Sequence, residues 1–169
     1  TRNFIYEWLF HQALKREGVI GLQYEFVNVT VNGNDLGIFA LEEHFEKTLL
    51  ESNQRREGPI LKFNEDVART TGTLSTHTRY AYMTSPIDAF EESKLLENPN
   101  LHAQYRMGIS LLEAFRLGEL STSDVFDIDK LARYYAISEL LAADHGNEFT
   151  NLRFYYNPVT SRLEPVGFD

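Results

Sequence analysis

The stretch that decides the fold closes the chain: Asp144-His145-Gly146-Asn147-Glu148-Phe149-Thr150-Asn151, then Leu152-Arg153-Phe154-Tyr155-Tyr156, then Asn157-Pro158-Val159-Thr160-Ser161, then Arg162-Leu163-Glu164-Pro165-Val166-Gly167-Phe168-Asp169. It reads as a polar loop, an aromatic strand, a turn, and a second strand ending on an aspartate. An acid, an amide and a second acid follow one another along it. One reading is a surface hairpin with ordinary loop polar groups. The other is a site in which these three side chains converge.

Working outward, Asp127 caps a helix predicted over residues 128–143, where Leu131, Tyr134, Tyr135, Ile137, Leu140 and Leu141 form a wide apolar stripe. That helix delivers the chain into Asp144. A second helix is expected from Leu101 to Leu117, and a short one over 87–96. At the front, Thr1-Arg2-Asn3 offers a cap for a helix carrying Phe4, Ile5, Trp8, Leu9 and Ala13, closed by Gly18. Trp8, Val29, Leu131 and Tyr135 are expected in the core. Residues 24–31 alternate, Asn32-Gly33-Asn34-Asp35 is a turn signal, and 36–41 form the return strand, where Gly37 permits a bulge. A short helix follows to about Asn53, and Ile60-Leu61-Lys62-Phe63 reads as a third strand.

These elements predict an α+β fold within one domain: a strand-rich part over 1–63, an irregular insert over 64–100, and a helical part with the loop and hairpin over 101–169. The chain has 169 residues and is 43% hydrophobic, enough for one core. It contains no cysteine, which excludes a disulfide framework or thiolate metal site and leaves the redox compartment open. No apolar run has the length of a spanning helix. The net charge of -9 disfavours nonspecific nucleic-acid binding. It leaves room for a phosphate ligand beside a cation. The chain opens without methionine and stops on a candidate site residue, so it reads as a fragment of a larger domain.

Acid, amide, acid is the order by which protein kinases handle the acceptor hydroxyl and hold metal on nucleotide phosphates. Such chemistry also needs a cation on the phosphates. Lys62 is the candidate: pointing inward it needs an anion, while on an edge strand it would guard against aggregation. Glu42 and Glu43 follow a strand and open a helix. They serve either as first-turn charges on the helix dipole or as the carboxylate partner of Lys62, with one of the two facing inward. Asp144, His145, Glu148 and Asn151 also allow a histidine-centred metal site, but no second histidine stands at ligand spacing.

Three segments together resemble the spore-coat protein H (CotH) kinase-like family: residues 26–43 with their strand, Asn-Gly turn, Gly-aromatic strand and glutamates; Gly58-Pro59-Ile60-Leu61-Lys62-Phe63; and Asn151 through Asp169. The resemblance implies an atypical protein-kinase-like fold with a strand-rich and a helical lobe. It implies transfer of phosphate from ATP, with Mg or Mn, to Ser or Thr of bacterial spore-coat or surface proteins. Under it Lys62 contacts nucleotide phosphate, with Glu42 or Glu43 as its partner. Asn151 and Asp169 hold metal, and Asp144 is the catalytic-loop acid, a role that His145 or Glu148 could occupy instead. Two departures stand out. Asp144 precedes Asn151 by seven positions, where kinases have five. Glu42 and Glu43 precede Lys62, the reverse of the kinase order. A noncatalytic coat or surface interaction module is the alternative.

Overall fold

The computed structural model describes residues 4–64, 66 and 78–168. The expected cap at Thr1-Arg2-Asn3 and the site candidate Asp169 lie outside the described residues.

Helix α1 spans Phe4–Arg16. Its buried face is Glu7, Phe10, His11 and Leu14, not the stripe through Trp8. Trp8 is 38% exposed and Ile5 67%. The expectation that Trp8 is buried is therefore corrected. Apolar residues surround most of this helix, so periodicity alone does not select a face. Contact with a later helix selects it, through Phe10 against Tyr134 at a centroid distance of 6.3 Å.

Strands β1 (Tyr24–Val31) and β2 (Asn34–Glu42) pair antiparallel, from Tyr24 opposite Glu42 to Val31 opposite Asn34. Asn32 and Gly33 both have positive φ, which matches the right-handed twist of a two-residue hairpin turn. The register shifts once between Val29 and Thr30, opposite Gly37, as a bulge there requires. Helix α2 (Lys47–Ser52) follows.

The second sheet has the order β4-β3-β5-β6, all antiparallel, with β3 at Ile60–Phe63, β4 at Ile87–Ala89, β5 at Arg153–Asn157 and β6 at Arg162–Val166. One sheet thus joins the third strand, a strand from the central insert, and the terminal hairpin. The short helix expected over 87–96 is corrected. Residues 87–89 pair with β3, and the helix runs only over Glu92–Glu97. Three residues are too few to carry a period, and pairing with Phe63, Lys62 and Leu61 overrides local preference.

The remaining helices are α3 (Thr78–Thr84), α4 (Glu92–Glu97), α5 (Pro99–Arg116), α6 (Thr122–Val125) and α7 (Ile128–Leu140). Asn98 caps α5 by accepting from Asn100 and Leu101 backbone N–H groups. Asp127 caps α7 by accepting from Lys130 N–H, as the sequence predicts. On α7 the buried tyrosine is Tyr134, while Tyr135 is 43% exposed, a second correction to the expected core; Val29 and Leu131 are half-buried.

The four-stranded sheet has two covered faces. Leu61, Phe63, Phe154, Tyr156 and Leu163 pack against Leu101, Tyr105 and Leu112 of α5. Ile60, Tyr155 and Val166 pack on the opposite side against Ile20, Leu22, Phe45, Leu49 and Leu50. Fully buried Glu164 stands on this second side. It accepts from Arg55 Nε at 2.8 Å and Asn157 Nδ2 at 2.6 Å, so its charge is compensated. Arg55 also donates to the Gly18 and Asn53 carbonyls, which ties the end of α1 and the end of α2 to the sheet.

Candidate functional site

Lys62 lies on β3, an interior strand flanked by β4 and β5, so it does not guard a sheet edge. Its register partners are Asp88 on one side and Arg153 on the other. Residues directly opposite one another in a sheet share a face. The half-buried Lys62 ammonium sits over the Phe90 ring, 4.8 Å from its centroid. The Arg153 guanidinium lies 5.6 Å from the same ring, 5.1 Å from Phe168 and 5.9 Å from Phe45. Phe45 packs on Phe90 at 4.6 Å and on Phe168 at 5.7 Å. Two cations therefore share an aromatic floor, whose ring faces attract positive charge where water is thinned.

The loop between α7 and β5 meets this floor from the other end. Asp144 precedes a single 3-10 turn over His145–Asn147 and accepts from Asn147 N–H through its backbone carbonyl. The Asp144, His145 and Glu148 side chains are exposed. Asn151 Nδ2 donates to the His145 carbonyl at 2.9 Å and lies 3.2 Å from His145 Nε2. With its nitrogen committed there, the amide presents its oxygen as the remaining ligating atom. Gly146 is packed so closely that an added Cβ would stand 1.9 Å from the Phe168 carbonyl oxygen. From below, Tyr134 OH donates to the Gly146 carbonyl. The His145 and Phe168 rings are 6.4 Å apart. The loop bearing Asn151 and the strand end at Phe168 thus form one packed unit.

Among the described residues, the structure brings Lys62 together with Phe90 and Arg153, and Asn151 with His145. Glu42 and Glu43 are engaged elsewhere. Glu43 accepts from Gln23 N–H at 3.0 Å, closing the open end of the first hairpin. Ligand atoms of Glu42, Glu7 and His11 all lie within 4.8 Å of one another where α1 meets that hairpin. Tyr24 OH donates to Glu7 there, and His11 Nδ1 accepts from Leu22 N–H. A neutral His11 then carries its proton on Nε2, so this ring has no lone pair left for a metal. The chain just beyond Glu43 does reach the candidate site, through Phe45.

Three features of the site had little sequence signal. Asp88, opposite Lys62 and hydrogen-bonded by Asn64 Nδ2 at 2.7 Å, is the carboxylate in register with that lysine. Phe45, Phe90 and Phe168 come from three distant segments. Arg153 could have been suspected from alternation, since it stands two residues after Asn151. Next to this floor, Tyr155 donates to the Arg56 carbonyl at 2.8 Å, and burial holds its hydroxyl well above the usual tyrosine range.

The amide oxygen of Asn151 is a hard oxygen donor, the kind of ligand atom that magnesium and manganese take. The class defined at this point is an α+β domain whose central antiparallel sheet carries a lysine strand, with a polar loop and hairpin closing one end. More particularly, the chain belongs to the CotH kinase protein family, whose model matches residues 2–169. No curated protein gives a significant match to the chain. Among the described residues, no helix is long and apolar enough to cross a membrane.

Proposed function

We propose that the protein is an ATP- and divalent-metal-dependent phosphotransferase acting on Ser or Thr of coat or surface proteins. The observation that carries this reading is the place of Arg153, which shares the Phe90 ring with Lys62 and donates to the Thr150 carbonyl next to Asn151. Family membership supports the kinase-like class. The two-lobed arrangement implied by the resemblance belongs to the same proposal.

In this reading Lys62 binds the nucleotide phosphates through a charge-assisted hydrogen bond, its ammonium held in place over the Phe90 ring. Asn151 Oδ1 and the Asp169 carboxylate would hold magnesium or manganese, which supplies positive charge against the phosphates. Asp144, exposed at the start of the loop, takes the proton of the acceptor hydroxyl. The acceptor oxygen bonds to the γ-phosphorus as the bond to the bridging oxygen breaks and ADP leaves. Asp88, in register with Lys62, takes the place of carboxylate partner in this reading, and Glu42 and Glu43 serve the junction between α1 and the first hairpin. Calorimetric titration of ATP with and without magnesium or manganese tests the proposal. Metal-dependent binding together with phosphate transfer to a Ser/Thr protein substrate is expected; a folded protein with no such binding refutes it.

The second reading, a noncatalytic interaction module, is favoured by one observation. The first hairpin exposes Ile38 at 74% on one face and Leu41 at 57% on the other, apolar side chains suited to contact with protein. Nucleotide binding separates the two readings, because an interaction module does not need it.

A further inference from the structure

The Arg153 side chain makes an unusual pair of contacts with the segment it follows. Its Nη1 donates to the Thr150 carbonyl at 2.7 Å and to the Leu152 carbonyl at 3.1 Å. These carbonyls flank Asn151 on both sides. An Nη group has two hydrogens, so both are committed to holding the Asn151 backbone. The same guanidinium sits among the rings of Phe45, Phe90 and Phe168, with centroids 5.1–5.9 Å away. Phe90 is also the ring beneath Lys62, and Phe168 packs on Gly146. Arg153 therefore touches the phosphate-lysine floor, the Asn151 backbone and the strand end at once.

We infer that Arg153 is a positioning residue that fixes the aim of the Asn151 amide oxygen toward a divalent cation. The inference rests on the proposed metal-dependent phosphotransferase reading and adds to it a specific determinant of metal affinity. The chemistry demands an arginine. Two hydrogens on one nitrogen, held in a rigid plane that stacks on rings, can bracket two carbonyls at fixed angles. A lysine carries the same charge but has neither the plane nor the fork. Outer contacts that orient a ligand typically change metal affinity by about 10- to 100-fold when removed. A role in shaping the loop predicts a shift in metal requirement, and a role in contacting phosphate predicts a loss that metal does not restore.

The test compares Arg153→Lys with the wild-type protein in ATP binding and phosphate transfer across a magnesium titration. The expected result is a half-saturating magnesium concentration raised about 10- to 100-fold, with kcat and KM for ATP returning toward wild type at saturating metal. An unchanged magnesium requirement overturns the inference while leaving the phosphotransferase reading intact. A loss that saturating magnesium does not restore also overturns it, and makes Arg153 a direct phosphate contact. If the wild type itself shows no metal-dependent binding, the parent reading fails, and this inference fails with it. The wild type offers a second measurement should the variant not fold. Nitrogen-resolved NMR of the Arg153 guanidinium should show slow rotation about the Cζ–Nη1 bond, because both hydrogens are held. Fast rotation overturns the bracket directly.

Discussion

Gly146→Ala probes the point where the Asn151 loop meets the strand end. The added methyl carbon would lie 1.9 Å from the Phe168 carbonyl oxygen and 3.3 Å from the Tyr134 hydroxyl. A comfortable carbon–oxygen contact is about 3.3 Å, so the loop and the strand end must part by roughly 1.4 Å. The obstructing atom is backbone, so no side-chain rotation relieves the clash. Overpacking of this kind costs about 1–3 kcal/mol of stability. The larger consequence is positional, since a misplacement near 1 Å at a reacting centre can cost about 100-fold in rate. The assay is phosphate transfer and metal-dependent ATP binding, each beside a thermal melt. Gly118→Ala supplies the control. Gly118 has φ +76 with nothing within 4 Å of the added carbon, so that change strains only the end of α5, by roughly 1–2 kcal/mol. The expected outcome is a comparable loss of stability in both variants and a loss of activity in Gly146→Ala alone. A folded Gly146→Ala protein with wild-type transfer and binding would refute the claim that loop and strand end act as one unit.

Arg55→Met removes the closest cation from buried Glu164, leaving Lys130 at 3.7 Å and the Asn157 amide, and should destabilise the protein by about 3 kcal/mol in denaturant unfolding; a change under 1 kcal/mol contradicts the ion-pair account. Burial pushes the Asp127 carboxyl up, but its bonds to Lys130 outweigh that and hold it below the usual carboxylate value. Because the folded value lies below the unfolded one, the stabilisation is complete above about pH 4 and fades as pH falls further. Asp127→Asn keeps a capping oxygen but not the charge, so the wild-type advantage should vanish in acid melts; an advantage unchanged at pH 2 speaks against it. Lys62→Met should weaken ATP binding by about 10- to 100-fold, from a charged hydrogen bond of about 1.5–3 kcal/mol, and calorimetry at fixed magnesium reads this directly. Asp144→Asn should slow transfer by about 100-fold or more while leaving ATP affinity unchanged. Full activity in Asp144→Asn with a loss in Glu148→Gln or His145→Ala moves the acid role to that neighbour.

Local signals account for much of this fold. Asn32-Gly33 and the alternating valines give the first hairpin, Asp127 gives the start of α7, and the aromatic run Phe154-Tyr155-Tyr156 gives β5. The burial of α1 was not legible. Phe4, Ile5, Tyr6, Trp8 and Leu9 are all exposed, while Glu7 and His11 are buried, with partners at Tyr24 on β1 and Leu22 just before it. Strand β4 was hidden because its order depends on β3, a neighbour distant in sequence. Lys62, Asn151 and Asp144 stand out in the sequence as residue types in a recognisable order, and their roles belong to the proposal. The alternatives open for Lys62 and for the two glutamates could be narrowed only by long-range pairing. That pairing brings Lys62 opposite Asp88 and Arg153, and gathers Phe45, Phe90 and Phe168 from three segments. No local periodicity encodes such a floor.

The most direct measurement is a crystal structure with manganese and a nonhydrolysable ATP analogue, read at the manganese absorption edge. The account predicts an anomalous peak coordinated by Asn151 Oδ1 and the Asp169 carboxylate, with analogue phosphates beside it and Lys62 Nζ on the same phosphates. A peak held instead by Glu7, His11 and Glu42, or ordered nucleotide with no metal at Asn151, would contradict it.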